Sequence, residues 1–125
     1  MSFKNEWTKN LYVTAPNDPD SFFHPRRYSK LKEEVVQTAK EVIVSLSRWE
    51  VVEYRENQGR LHVTRTTRLW RFVDDINLYI VQGGDGMTSL EMTSQSRVGR
   101  WDFGQNRRNL KEFLIHLDAK LSPLK

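Results

Sequence analysis

The feature that most constrains this fold is a series of four strand-like runs in the middle of the chain, joined by short turns. In the last three runs residues of one kind recur at every second position, which is the period of a strand. We predict strands over 50–56, 60–72, 76–81 and 88–97. The separating turns are Asn57-Gln58-Gly59, Val73-Asp74-Asp75 and Gly83-Gly84-Asp85-Gly86. Because a parallel crossover needs a dozen residues or more, connections this short predict a four-stranded antiparallel meander.

An amphipathic helix is predicted on each side of the strands, over 28–47 and about 103–121. Their apolar stripes are Leu31, Val35, Ala39, Val42, Ile43 and Leu46, and Leu110, Phe113, Leu114, Leu117 and Leu121. We expect Ser29 to cap the first helix, and Asp102 to cap the second in a capping box with Gln105. One sheet and two amphipathic helices predict an α+β fold with both helices packed on one face, in the order arm-α-β-β-β-β-α.

Residues 1–27 are predicted to be an extended arm. Pro16, Pro19 and Pro25 do not fit a regular helix in this segment. Its apolar residues favour packing of the arm on the body; they are Leu11, Tyr12, Phe22 and Phe23. The 125 residues fit one domain, so residues 28–125 are expected to form a single α+β domain.

Composition narrows the possible functions. The chain has no cysteine, so disulfides, thiolate metal sites and a cysteine nucleophile are excluded. The start of the chain lacks the apolar core of a signal peptide, and no run approaches the roughly 20 apolar residues of a membrane span. These features predict a cytoplasmic protein without a membrane span. The histidines show no ligand spacing and no catalytic motif is present, so we predict no cofactor, no metal and no catalytic residue.

The net charge is +4 and the isoelectric point is about 9.5, which suits nucleic-acid binding. Acidic residues are interleaved with the basic ones, however, so a nucleic-acid partner is not the favoured interpretation. Aromatic residues between arginines could stack on bases, and they keep this alternative open; they are Trp70, Phe72, Trp101 and Phe103.

Two polar segments, 68–75 and 94–108, contain the candidate functional residues. Arginines and serines beside a predicted helix N-terminus favour anion binding, and the candidates for contact with an anion or partner are Arg68, Ser94, Ser96, Arg97 and Arg107. Asp74, Asp75 and Asp102 are candidate acids or ion-pair partners. Because neighbours in a strand point to opposite faces, Asp74 and Asp75 are more plausible as partners of nearby arginines than as a catalytic pair.

The same segments resemble a known family. The motifs are Arg68-Leu69-Trp70-Arg71-Phe72-Val73-Asp74-Asp75 and the pattern Ser94-x-Ser-Arg-Val-Gly-x-x-Asp-x-Gly-x-Asn-Arg-Arg. They resemble the bacterial and plant-plastid family called domain of unknown function 1499 (DUF1499). The start Ala15-Pro16-Asn17 is similar to the family's opening, but Asp18 stands where members commonly have cysteine. The resemblance implies no thiol chemistry at that position and names no function.

Several functions remain open from the sequence. The favoured one is a non-enzymatic binding domain for an anionic small molecule, a lipid headgroup or a protein partner. The alternatives are an enzyme that uses aspartate and arginine in acid–base or metal chemistry, and a nucleic-acid-binding domain. A further interpretation makes the whole arginine–aspartate block a buried ion-pair network that fixes the corner between strand and helix.

Overall fold

The computed structural model describes residues 10–69, 71–97 and 104–124, and it confirms the α+β class. These residues form two helices and one antiparallel sheet of six strands. The strands are β1 (Leu11–Val13), β2 (Arg26–Tyr28), β3 (Trp49–Arg55), β4 (Arg60–Thr66), β5 (Val73–Gln82) and β6 (Thr88–Ser96). The helices are α1 (Lys32–Ser45), between β2 and β3, and α2 (Gln105–Leu121), after β6.

The sheet contains the predicted meander and two strands that the sequence did not reveal. The strand order is β1-β6-β5-β4-β3, and β2 also pairs with β6. Leu11–Val13 lies opposite residues 93–95, and Arg26–Tyr28 lies opposite residues 88–90. The segment before α1 therefore extends the sheet beyond β6, through two strands too short to show a period-two pattern.

Strand alternation gives the sheet two different faces. On the first, which we call the helix face, apolar side chains pack against α1 and α2 in one hydrophobic core. The fully buried strand residues of this core include Leu61, Val63, Ile76, Leu78 and Met92. On the second, which we call the open face, most side chains are polar or charged, although Tyr79 and Val81 are exposed there too, and no helix of the described residues covers this face. The open face includes His62, Asp75, Asn77, Thr93 and Gln95.

The boundary between β4 and β5 differs from the prediction. We expected a strand to Phe72 and a break at Val73-Asp74-Asp75, but the chain turns between Thr67 and Phe72. The Thr67 amide donates to the Phe72 carbonyl at 2.7 Å, and the Phe72 amide donates to Thr67 Oγ1 at 2.8 Å. The aspartates continue β5, since their carboxylates have partners on the two faces of the sheet. The prediction that Val73-Asp74-Asp75 interrupts the strand was therefore wrong.

The β3–β4 turn depends on a glycine. Gly59 follows a short 3-10 turn (Glu56–Gln58) and has a φ of 62°, in the left-handed region. Its carbonyl accepts the amide of Ile80 at 2.7 Å, so the turn lies directly against β5. A Cβ at this position would lie 2.4 Å from the Ile80 carbonyl oxygen. Only glycine fits this conformation and this approach.

Helix α1 is shorter than predicted at both ends. Tyr28 belongs to β2 and is fully buried, and the N-cap position is held by Leu31 rather than by Ser29. Leu31 has no side-chain oxygen, and the Lys32 amide instead donates to Gln82 Oε1, on β5, at 3.1 Å. The sequence could not show this cap because its donor and acceptor are 50 residues apart.

Helix α2 also begins later than predicted. Its N-cap position is Gly104, with a φ of 84°, and among the described residues no side chain caps the helix there. The Gln105 side chain donates to Asn109 Oδ1 at 2.8 Å and accepts from Arg108 at 3.1 Å. Asp102, the predicted cap, lies outside the described residues, two positions before the observed one.

Candidate functional site

The two polar segments meet at one end of the sheet. The last residue of β4, Thr66, pairs with the first residue of β5, Val73. On the other side of β5, Asp74 pairs with Ser96, the last residue of β6. The first turn of α2 lies over the same end, where Asn106 contacts both serines of β6. Residues that are far apart in sequence are therefore neighbours here.

On the helix face, this end holds a buried polar network. Its members are Asp74, Ser94, Ser96, Asn106 and Asn109, each at most 7% exposed. The Asn109 amide donates to Asp74 Oδ2 at 2.9 Å and to Ser94 Oγ at 3.0 Å. Ser94 Oγ donates to Asn106 Oδ1 at 2.7 Å, and the Asn106 amide donates to Ser96 Oγ at 3.1 Å. The network joins β5, β6 and α2 through side chains alone.

This network changes how the two serines are interpreted. Both were candidate donors to an anion, but their hydroxyls are enclosed beneath α2 and bonded to asparagine side chains. A buried polar group is expensive to leave without a partner, so these bonds hold the helix at a fixed position on the sheet. Ser94, Ser96 and Asp74 thus position α2 over the sheet.

Asp75, the neighbour of Asp74, lies on the open face. It accepts two hydrogen bonds from Arg97, at 2.8 and 3.0 Å, and its Oδ1 lies 2.8 Å from His62 Nε2. The Arg97 guanidinium, with a smaller contribution from His62, holds the pKa of Asp75 below its ordinary value, although partial burial opposes this. Asp75 is therefore a paired carboxylate, and it faces away from Asp74.

Arg107 lies elsewhere, against the segment before α1. Its guanidinium donates to Asp20 Oδ2 at 3.2 Å and lies 4.4 Å above the ring of Phe23. Beside it, the hydroxyl of Tyr12 donates to Asp18 Oδ2 at 2.5 Å, and burial with this acceptor raises the pKa of Tyr12 to about 12. Asp18 is thus a buried carboxylate that also accepts the Asp20 amide at 2.9 Å and so holds the chain around it.

A third set of arginines has no such partners. The side chains of Arg48, Arg68 and Arg71 are exposed, and none forms a hydrogen bond or an ion pair within the described part of the chain. Every other arginine that the structure describes has a side-chain partner. These partnered arginines are Arg26, Arg27, Arg55, Arg60, Arg65, Arg97, Arg107 and Arg108.

The three unpartnered arginines lie at the same end of the sheet, and we call them the arginine end. Arg68 and Arg71 are in the β4–β5 connection. Arg48 lies next to them, because its carbonyl accepts the amide of Thr66 at 3.0 Å. The paired Arg97 borders the set, since its amide donates to the Val73 carbonyl at 3.1 Å. Three guanidinium groups without a hydrogen-bond or ion-pair partner among the described residues are therefore carried by neighbouring segments at this end of the sheet.

Backbone conformation separates two of these arginines from ordinary loop residues. Arg48 and Arg71 have φ values of 69° and 60°, and only two other non-glycine residues of the described chain have a positive φ. The left-handed region costs a residue with a Cβ about 1–2 kcal/mol. Glycine would avoid that strain, so side chains at these two positions invite a functional explanation.

The five predicted contact residues therefore do not converge on one site. Ser94 and Ser96 are buried, Arg97 is on the open face, Arg107 contacts the segment before α1, and Arg68 is in an exposed loop. Residues outside the described ranges include Asp102, Arg100, Trp70, Trp101 and Phe103.

Sequence reasoning missed three important residues. Asn106 and Asn109 lie four positions before Leu110 and Phe113, so they continue the apolar stripe of α2. Amides on a stripe that faces a core indicate a buried polar network, and this signal was available. Arg48 carried no such signal, because its position depends on pairing between distant segments.

Among the described residues, no group of three or more histidine, aspartate or glutamate side chains could hold a metal ion. In the same residues, no helix is long and apolar enough to cross a membrane.

These features define a small two-layer α+β domain with a polar network under one helix and unpaired arginines at the adjoining end of the sheet. The sequence profile described as "Protein of unknown function (DUF1499)" matches residues 3–117, and the chain belongs to this family. The resemblance seen in the motifs is thereby confirmed.

No curated protein matches the chain. One similar solved structure is the crystal structure of TTHA0849 from Thermus thermophilus, at 15% identity and a TM-score of 0.33. That match covers 77% of this chain and 86% of the other.

Proposed function

We propose that this chain is a non-enzymatic binding domain that recognises an anionic partner at the arginine end. The observation that carries the proposal is the lack of partners for Arg48, Arg68 and Arg71 within the described residues, while every other described arginine has one. Guanidinium groups form strong, charge-assisted hydrogen bonds with carboxylate and phosphate oxygens. Three of them close together on the surface suit an anion supplied by another molecule.

The backbone supports the same proposal. Arg48 and Arg71 keep side chains in a left-handed conformation that favours glycine. Two hydrogen bonds between Thr67 and Phe72 close the loop that carries Arg68 and Arg71. Bonds that restrain a loop reduce the conformational entropy that it loses when it binds a ligand.

The alternative of an enzyme has weaker support. Acid–base or metal chemistry by adjacent carboxylates requires that they face one point. Asp74 bonds to Asn109 on the helix face, whereas Asp75 bonds to Arg97 on the open face. Their surroundings therefore favour structural roles over shared chemistry.

Binding of tripolyphosphate, measured by isothermal titration at low salt, tests the proposal. We expect the wild-type protein to bind, and the double variant Arg68→Gln/Arg71→Gln to bind about a hundredfold more weakly or worse, because hydrogen bonds to charged groups contribute about 1.5–3 kcal/mol each. The matched control is Arg27→Gln/Arg55→Gln, which removes the same charge from arginines that are paired with Asp85 and Glu53. An equal loss in both double variants, or no binding by the wild type, would show the proposal to be wrong.

A further inference from the structure

The arginine end also carries the two most exposed large apolar side chains of the described chain. Val44 is 79% exposed and Leu69 is 77% exposed. The next most exposed, Leu31 at 62%, lies at the opposite end of α1. Exposing apolar side chains to water is unfavourable, but a single exposed apolar residue needs no special explanation. Two such residues near the same unpaired arginines need one.

The fold places these two residues next to the arginines. Leu69 directly follows Arg68 in the loop between β4 and β5. Val44 is in the last turn of α1, and the chain continues from there through Arg48 to β3. The Arg48 carbonyl accepts the amide of Thr66, so the segment that follows α1 and the start of the loop that carries Leu69 are joined at the same end of the sheet.

This combination fits one kind of anionic partner better than the others. A soluble phosphate would use the arginines and leave Val44 and Leu69 in water. A protein segment would usually be received by a groove, but side chains exposed by more than three quarters do not line one. A membrane presents phosphates at its surface and a less polar layer just beneath, so single protruding apolar residues among arginines match it.

We propose that the arginine end docks on the surface of an anionic lipid membrane. Arg48, Arg68 and Arg71 bind headgroup phosphates, while Leu69 and Val44 enter the interfacial layer beneath them. The Thr67–Phe72 hydrogen bonds close the loop that carries Leu69, and the Leu69 side chain is 77% exposed. This inference rests on the proposed function, because it names the partner that supplies the anion.

Cosedimentation with lipid vesicles tests the inference. We expect the protein to bind vesicles that contain phosphatidylglycerol together with phosphatidylcholine, and to remain in solution with phosphatidylcholine alone. Each arginine near an anionic surface contributes about 1 kcal/mol, so binding should weaken as salt rises. The double variant Val44→Ser/Leu69→Ser should bind the anionic vesicles at least about tenfold more weakly.

The controls separate this inference from the proposal beneath it. Leu31→Ser removes an exposed apolar residue at the opposite end of α1 and should bind vesicles as the wild type does. Val44→Ser/Leu69→Ser should keep wild-type affinity for tripolyphosphate, because the arginines remain. Arg68→Gln/Arg71→Gln should lose affinity for both probes. Circular dichroism would verify that each variant is folded.

Two outcomes would overturn the inference and leave the proposed function standing. One is binding of tripolyphosphate without any binding of anionic vesicles, which would point to a soluble anion or an acidic protein. The other is vesicle binding that the Val44→Ser/Leu69→Ser variant retains in full, since the contact would then be with charge alone. If the wild-type protein bound neither tripolyphosphate nor anionic vesicles, the proposed function and this inference would both be wrong.

Discussion

Asp74 and Asp75 are adjacent in β5, yet they belong to two regions with opposite properties. Asp74 is fully buried in the polar network, where Asn109 donates to it across the gap between sheet and helix. Asp75 is half-buried on the open face, beside an arginine whose side chain is 51% exposed. One step along a strand thus separates a region that holds the fold together from one that faces solvent.

The difference shows why a dense motif need not be a single site. Side chains alternate along a strand, so any polar run through β5 or β6 is divided between the two faces. In β6, Ser94 and Ser96 go to the network, and Arg97, just beyond the strand, goes to the open face. The polar network should therefore control stability, and the arginine end should control binding.

The largest expected effect is on the network. Asn109→Ala removes the donor to Asp74 and Ser94 and leaves both buried without that partner. Breaking a buried, hydrogen-bonded polar contact of this kind costs about 3 kcal/mol or more. We expect the free energy of unfolding, measured by urea denaturation, to fall by about that amount.

The control for this prediction is Gln105→Ala. Gln105 also bonds to Asn109, but it is only half-buried and its loss leaves the bonds to Asp74 and Ser94 in place. We expect it to lower the free energy of unfolding by less than about 1 kcal/mol. Similar losses in the two variants would mean that the bonds to Asp74 and Ser94 contribute no more to stability than the single bond from Gln105.

The sequence predicts the features that depend on residues close together in the chain, and not those that depend on distant residues. Periodicity is local, so the four long strands and both helices were predictable, with the two helices on one face. Caps and turns that join distant residues were not. Lys32 bonds to Gln82, and Arg48 bonds to Thr66, and neither pair has a sequence signature. The sequence therefore could not predict that Arg48 lies beside the β4–β5 connection.

The sequence predicted which residues could belong to the candidate site, but not where their side chains lie. The sequence showed that Arg68, Arg97 and Arg107 were available, but a strand and a helix orient them differently. Only the register of β5 against β6 reveals that Arg97 meets Asp75. The contact of Arg107 with Asp20 depends on how the segment before α1 folds back onto the sheet. The strands of that segment are too short for the sequence to indicate this path.

A second prediction concerns strain at the arginine end. Arg71→Gly removes the Cβ from a left-handed residue, so relief of about 1–2 kcal/mol should exceed the added entropy of the unfolded chain, about 0.5–1 kcal/mol. We expect the free energy of unfolding to rise by about 0.5–1 kcal/mol while binding of tripolyphosphate weakens. Such opposite changes in stability and binding are what a functional residue under strain should show.

Arg68→Gly is the matched control, because it removes the same side chain from the same loop. Arg68 is not among the described residues with a positive φ, so glycine there brings no relief. Its added flexibility should lower the free energy of unfolding by about 0.5–1 kcal/mol. A gain in stability from both glycine variants would show that strain at Arg71 is not the cause.

The smallest expected effect concerns Asp75, and it depends on pH. Arg97 holds the pKa of Asp75 low, so the pair stabilises the folded state fully above the ordinary aspartate pKa of about 3.9 and less as pH falls through the lower, folded value. Because both side chains are partly exposed, we expect Asp75→Asn to lower the free energy of unfolding by only about 0.5 kcal/mol at pH 7. The difference from wild type should shrink toward zero as the pH is lowered to about 2.

Two further variants assign this pH dependence to its cause. Arg97→Gln should abolish most of it, whereas His62→Gln should leave most of it, because Arg97 contributes more than His62 to the lowered pKa of Asp75. Urea denaturation between about pH 2 and pH 7 would measure both. A loss of several kcal/mol from Asp75→Asn at pH 7 would contradict the comparison itself. It would place Asp75 with Asp74 among the groups that hold the fold, and leave only the three unpaired arginines as a surface free to bind.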